Sequence, residues 1–145
     1  MDRKINNPFV CWCVAGIFLL VLAGCGPGNG RQNLEGTVTL DGEPLAKGSI
    51  AFRPTAGTQS PTAGGRIVNG EFSISPEKGL SAGTFRVEIT ASRKTGRKVM
   101  DPVRRIEVDE MEQVIPQRYN RQSELTREIT TDGPNQFTFE LQQGG

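Results

Sequence analysis

The amino-acid sequence predicts an all-β domain, a single sandwich built from about seven short strands. Two local patterns carry this prediction. Asn69 and Gly70 separate two apolar runs, and both residues accept the positive φ of a type I′ hairpin turn. Residues 84–91 alternate apolar and polar side chains, which is typical of a half-buried strand. No segment after residue 33 has a convincing helical spacing of apolar residues, so sheet packing must supply the core.

The predicted strands follow one another with turn residues between them. Residues 34–40 are rich in β-branched side chains and end at the turn residues 41–44. Residues 49–53 form the second strand, and the small and polar residues of 54–65 predict an exposed loop after it. The other predicted strands are residues 66–68, 71–75, 84–91, 125–131 and 136–142.

The N-terminal segment has the layout of a bacterial lipoprotein signal. Arg3 and Lys4 precede an apolar run that ends in the sequence Leu-Ala-Gly-Cys at residues 22–25. We expect residues 1–24 to be cleaved as a signal peptide, Cys25 to be lipidated, and residues 25–33 to form a flexible tether. An ordinary secretory peptide and an uncleaved N-terminal anchor are the alternatives, and both place the remaining chain outside the cytoplasm.

Lipidation of Cys25 predicts a cell-envelope location on the periplasmic or extracellular face. Each buried methylene contributes about 0.8 kcal/mol, so a diacylglyceryl group makes attachment nearly permanent. Gly26 rather than Asp follows the cysteine, and by resemblance to Gram-negative sorting rules this favours the outer membrane. Cys11 and Cys13 leave with the signal, so the mature chain is expected to have no disulfide.

Composition excludes several classes of function. The formal net charge is +1, which gives no sign of a nucleic-acid partner. The chain has no histidine, which removes His-based acid–base catalysis and nearly all zinc, copper and non-haem iron sites. The one tryptophan, Trp12, lies in the predicted signal. We therefore expect a protein that is not an enzyme, with no catalytic, cofactor-binding or metal-binding residue.

Residues 92–120 form the least regular segment. They predict a long solvated connection, with a short edge strand through Ile106 and Val108. The alternative is a contact surface in which the basic block at residues 93–98 meets anionic lipid head groups. A third interpretation is a calcium site, although the spacing matches no EF-hand loop; its candidate ligands are Asp101, Glu107, Asp109, Glu110 and Glu112.

Tyr119 ends this segment and has two interpretations. A partly buried tyrosine can anchor the return of a long loop on the sandwich, and an exposed one can bind a ligand. The first interpretation is favoured, because tyrosines that anchor a returning loop on a sandwich are the commoner case.

A family resemblance covers nearly all of the chain after the tether. Residues 36–46 (Gly-Thr-Val-Thr-Leu-Asp-Gly-Glu-Pro-Leu-Ala), 69–72 and 79–87 resemble the small transthyretin-like, carboxypeptidase-regulatory-like domains. With residues 22–25 and 115–120 (Ile-Pro-Gln-Arg-Tyr-Asn), the chain resembles short lipoproteins that are numerous in planctomycete bacteria. The resemblance implies a prealbumin-like Greek-key sandwich over residues 34–145, used for folding or adhesion, with no catalytic residues.

The expected function is therefore that of a lipid-anchored, non-catalytic envelope protein. Its sheet edges and polar loops would meet an envelope protein partner. The alternative is a module at the membrane surface that binds carbohydrate or calcium. Carbohydrate sites usually stack sugars on exposed Trp or Tyr, so Tyr119 is the one aromatic residue of that kind available to this alternative.

Overall fold

The computed structural model describes residues 30–144, which form ten strands and one short 3-10 helix. The predicted signal peptide, the lipidation site Cys25 and residues 26–29 of the tether lie outside the described residues.

Eight of the strands belong to one sheet and two form a separate ribbon. In chain order the strands are β1 (Leu34–Leu40), β2 (Glu43–Pro44), β3 (Lys47–Pro54), β4 (Ala63–Val68), β5 (Glu71–Ile74), β6 (Gly83–Thr90), β7 (Ser92–Met100), β8 (Glu107–Gln113), β9 (Thr126–Ile129) and β10 (Gln136–Leu141). The 3-10 helix, Gln117–Tyr119, lies between β8 and β9.

The main sheet has the order β10-β1-β5-β4-β3-β6-β9, with β2 paired to β1. Its neighbours are antiparallel except for the parallel pair β1–β10, in which Val38 lies opposite Phe139. The sheet curls until its two outer strands, β9 and β10, approach each other. The Arg127 guanidinium of β9 lies 4.7 Å from the ring centroid of Phe139 on β10. The predicted all-β class is confirmed.

The curl encloses one apolar core. Alternate residues of β6 face it, and Phe85, Val87 and Ile89 are fully buried there. Four phenylalanines from β3, β5 and β10 form a chain of tilted ring contacts with centroids 6.0 to 6.4 Å apart; they are Phe52, Phe72, Phe137 and Phe139. This spacing suits aromatic pairs, so the phenylalanines link strands that are distant in the sequence.

The seven predicted strands are present in the structure. Residues 34–40 form β1 over the predicted range, and the other six predictions overlap β3, β4, β5, β6, β9 and β10. The turn between β4 and β5 has φ of 51° at Asn69 and 81° at Gly70, the two positive values that the hairpin prediction requires.

The predicted long connection at residues 92–120 is corrected by the structure. Most of the segment is a β-hairpin, in which β7 pairs antiparallel with β8 and the loop 101–106 joins them. The edge strand predicted through Ile106 and Val108 is correct in part, since β8 begins at Glu107 and runs to Gln113. Both faces of the hairpin are largely exposed, and its register shifts between Lys94 and Lys98. Neither feature produces the apolar alternation that reveals a strand in sequence.

This hairpin, residues 92–113, is called the arm below. It leaves the main sheet where β6 ends, with only Ala91 between β6 and β7. The N-terminal chain enters at the other end of β6, where the Gln32 amide donates to the Leu80 carbonyl at 2.9 Å. The arm and the predicted tether are therefore at opposite ends of the domain.

Candidate functional site

The arm holds most of its charge in ion pairs between its own two strands. Each basic residue of β7 pairs with an acidic residue of β8: Arg93 with Glu112, Lys94 and Lys98 with Asp109, and Arg97 with Glu110. The Arg97–Glu110 and Lys98–Asp109 pairs have nitrogen-to-oxygen distances of 2.7 Å. Four cations thus share three carboxylates, so the ion pairs reduce the basic block at residues 93–98 to one net positive charge.

Asp109 is the centre of this arrangement. Hydrogen bonds from Lys94 and then from Lys98 lower the pKa of its carboxyl group from 3.8 to about 2. Donation of hydrogen bonds to the charged form of a carboxyl group favours ionisation. Asp109 thus remains an anion throughout neutral and mildly acidic solution, and the two lysines remain bound to it.

The acidic residues considered as calcium ligands do not converge. Asp109, Glu110 and Glu112 are engaged by cations of β7, and Asp101 binds backbone amides of the loop. Within residues 30–144 no group of three or more His, Cys, Asp or Glu side chains has an arrangement that could hold a metal ion. The geometry of the arm thus uses four of the five carboxylates to organise the hairpin, while Glu107 lies exposed at the start of β8.

The loop at the end of the arm is held by a compact set of hydrogen bonds. The Asp101 carboxylate accepts from the amides of Val103 and Arg104, at 2.9 and 2.7 Å. The Arg105 amide donates to the Asp101 carbonyl at 2.9 Å, and the Asp101 amide donates to the Ile106 carbonyl at 2.9 Å. An Asp side chain that binds amides two and three residues later is a standard turn device. The loop is therefore preformed.

The arm also carries most of the exposed large apolar side chains of the described residues. Five of these six side chains lie on it, namely Val99, Met100, Val103, Ile106 and Met111. Val103, at the apex of the loop, is 88% exposed. Single exposed apolar residues are ordinary, but a concentration on one projection marks an interaction site.

Two arginines at the same loop differ from the other cations of the arm. Arg104 and Arg105 are exposed, and within residues 30–144 their guanidinium groups have neither an ion pair nor a hydrogen bond. The two guanidinium groups of the arm that lack an ion pair consequently lie at its end, beside Val103, where Asp101 and Glu107 balance their formal charge. The sequence contains this arginine pair, but only the cross-strand pairing shows that it differs from the block at 93–98.

Tyr119 lies at the return of the chain from the arm. Its ring packs partly buried against the core, and its hydroxyl accepts from the Gln142 amide at 3.4 Å. The Arg118 guanidinium lies 4.9 Å from the ring centroid, and its hydrogen bond lowers the pKa of Tyr119. Tyr119 therefore anchors the returning chain on the core, and its ring does not form an open surface on which a ligand could stack.

Two neighbouring polar residues, which the sequence did not single out, fix the same return. The buried Asn120 side chain donates to the Ile115 carbonyl at 3.0 Å. The Ser123 hydroxyl is also buried and donates to the Val87 carbonyl of β6. Buried polar groups need hydrogen-bond partners, and these two hydrogen bonds hold the returning chain against the core.

An open depression of about 940 Å³ lies on the main sheet between β4, β5, β1 and β10. Its rim carries Glu35, Arg66 and Glu71, while Phe72 and Phe137 belong to the aromatic chain of the core. Ligand pockets normally enclose most of the ligand surface. The depression is too open for that, so the arm is the stronger candidate for a functional site.

Within the described part of the chain, no helix has the length and apolar character needed to cross a bilayer. Comparison of the chain with protein-family models, with curated proteins and with solved structures gave no match.

Proposed function

We propose that this chain is a lipid-anchored, non-catalytic protein of the cell envelope, held by Cys25. Its folded domain serves protein–protein contact or envelope structure at the membrane surface. The sequence at residues 22–25 supports the anchor. The observation that carries the interaction role is the arm, a preformed hairpin that bears five exposed large apolar side chains.

The domain attached to this anchor is proposed to be a prealbumin-like Greek-key sandwich. Two observations support that assignment. The sheet curls until Arg127 of β9 reaches Phe139 of β10, and rings from β3, β5 and β10 meet across the enclosed space. The two halves of one curled sheet then pack on each other as the two layers of a sandwich do.

The arm supports contact through its end more than through its edges. Both outer edges of the ribbon are unpaired, which is normally a template for strand addition. Charged side chains occupy both strands, and the register shift next to Gly96 twists the ribbon. These are the devices by which natural sheets discourage edge pairing. The exposed apolar residues at the loop have no such protection.

The anchor is tested by replacing Cys25 with serine in the producing cells. We expect Cys25→Ser to abolish lipid attachment, so that the protein leaves the membrane fraction or accumulates as an unprocessed precursor. Membrane fractionation with mass spectrometry of the N-terminus measures both outcomes. Replacement of the adjacent Gly26 by serine is the matched control and should leave processing unchanged. Normal processing and membrane attachment of Cys25→Ser would contradict the proposal.

The interaction role is tested by crosslinking in intact cells. The tagged lipoprotein should give a reproducible, anchor-dependent crosslink to an envelope protein, and Cys25→Ser serves as the control for placement. Crosslinks to abundant neighbours alone, unchanged by loss of the anchor, would contradict a specific protein partner.

A further inference from the structure

We propose that the end of the arm is a second membrane contact, which docks on anionic phospholipid of the same membrane that holds the lipid anchor. The contact consists of Met100, Val103 and Ile106 with Arg104 and Arg105. This inference rests on the proposed lipidation of Cys25 and assigns the end of the arm to lipid in place of the protein contact that its exposed apolar side chains also support.

The side chains at the end of the arm have the composition of a membrane-interface contact. Met100, Val103 and Ile106 are 61%, 88% and 51% exposed, and they surround a convex apex instead of lining a groove. An apolar projection with cations beside it can place its apolar atoms among the acyl chains and its charges at the phosphates. A protein partner would need a pocket shaped for the apex, whereas a bilayer accepts any convex apolar group.

Two guanidinium groups at the end of the arm are available to an anionic surface. The cations of β7 are all paired with acids of β8, so they add little net attraction. Asp101, the one acid in the loop, turns its carboxylate to the amides of Val103 and Arg104. Glu107, the residue after the loop, is exposed and carries the second negative charge at this end. Arg104 and Arg105 remain available to a phosphate group because neither has an ion pair within residues 30–144. Guanidinium groups are well suited to phosphate oxygens.

The loop is also arranged to dock without further ordering. Four hydrogen bonds centred on Asp101, two of them accepted by its carboxylate, fix the loop, and Arg105 holds a left-handed φ of 54°. Asp101 and the backbone of Ile106 close the loop against the last pair of the ribbon. Preorganisation lowers the entropy lost on binding.

The length of chain before the folded domain allows the contact on the same membrane. Residues 25–31, which precede the Gln32–Leu80 hydrogen bond, span at most about 25 Å when extended. From the start of β6 to the end of β7 the chain covers about 55 Å at a strand rise of ~3.3 Å per residue. Because the tether and the arm are at opposite ends, the domain must lie along the membrane for both to attach. Two such contacts would hold it in one orientation.

The experiment uses the mature lipoprotein reconstituted into vesicles of phosphatidylglycerol and phosphatidylcholine, or of phosphatidylcholine alone. Val103→Cys supplies the only free thiol, since Cys25 carries lipid, and it is labelled with an environment-sensitive fluorophore. We expect the emission to shift to shorter wavelength in the anionic vesicles and to be quenched by lipids that carry a spin label on the acyl chain. A label at Glu43→Cys, on the main sheet, should show in the vesicles the same emission that it has in water.

The double variant Arg104→Glu with Arg105→Glu should weaken docking of the labelled apex. Loss of two well-placed arginines reduces the docked-to-undocked ratio about 30-fold. Arg66→Glu with Arg121→Glu changes the net charge equally and leaves the arm intact, so it should keep the shift.

Flotation of the vesicles separates this inference from the proposed anchor. A protein that does not float with the vesicles refutes the lipid attachment. If the protein floats but the label at residue 103 keeps the emission of an aqueous environment in every vesicle, the docking proposal is overturned. Vesicle clustering that requires Val103 would also overturn it, because the arm would then contact a second membrane. A shift that appears only when a second copy or an envelope protein is added would assign the arm to that partner instead.

Discussion

Gly36 is the residue whose small size is most strictly required by its neighbours. It lies on β1 opposite Phe137, and a Cβ atom there would lie 1.9 Å from the Phe137 carbonyl oxygen. The same atom would lie 2.9 Å from a ring carbon of Phe72. Since the nearest obstacle is backbone, a rotamer change cannot relieve the contact. The close approach of β1 to β10 therefore depends on glycine.

Gly36→Ala is expected to destabilise the domain by about 1 to 3 kcal/mol, the range for overpacking of a core site. Urea unfolding followed by circular dichroism measures the change in free energy. Gly144→Ala is the matched control, because a Cβ at Gly144 meets no atom within 4 Å. Equal stability of the two variants would show that β1 and β10 are not so closely paired.

The carboxyl group of Asp109 makes a second prediction at the residue scale. Its folded pKa of about 2 lies below its ordinary value of 3.8, so the ionised form is favoured in the arm. The stabilisation is complete above about pH 4 and is lost as the pH falls toward 2. A carboxyl-carbon NMR titration should give a midpoint near 2. Lys94→Ala with Lys98→Ala should raise it toward 3.8, and the distant Lys78→Ala should not. A midpoint near 3.8 in the unmodified protein would contradict the pairing.

At the scale of elements, the arm differs from the strands of the main sheet in what holds it together. The strands of the sheet bury apolar residues, whereas β7 and β8 are joined by backbone pairing and exposed ion pairs. Exposed ion pairs contribute little to stability. The base of the arm is fixed by Gln113, whose side-chain oxygen accepts hydrogen bonds from the amides of Ala91 and Ile115 at 2.9 and 3.3 Å. The arm is therefore an appendage on an independent core.

Removal of the arm should leave the main sheet folded. Ser92 and Gln113 are directly paired, so Asn-Gly can replace residues 93–112 as a two-residue turn. We expect the free energy of unfolding to change by less than about 1 kcal/mol, as for exposed surface segments. Phe52→Ala, in the core, should cost about 3 to 5 kcal/mol and serves as the comparison. Loss of cooperative unfolding in the shortened protein would show that the arm belongs to the core.

At the scale of the whole molecule, the sheet order sets the arm and the tether apart. From β1 the path through β5, β4 and β3 to β6 alternates in direction at every step, so β1 and β6 run the same way. The chain enters at the start of β1 and the arm leaves at the end of β6. This places the entry of the chain and the base of the arm at opposite ends of the main sheet.

The sequence by itself determined the strands that bury one face, the Asn69-Gly70 turn and the layout of the N-terminal segment. These features depend on neighbouring residues, through alternation with period two, positive φ and the order of charge and apolar run. Tertiary structure alone decided the arm, the parallel pair β1–β10 and the contrast of the paired cations of β7 with Arg104 and Arg105. Those features depend on which residues meet across strands: Arg104 and Arg105 differ from the cations of β7 in lacking an ion pair within the described residues, not in net charge. Two exposed strands leave no periodic trace of their partner in the sequence.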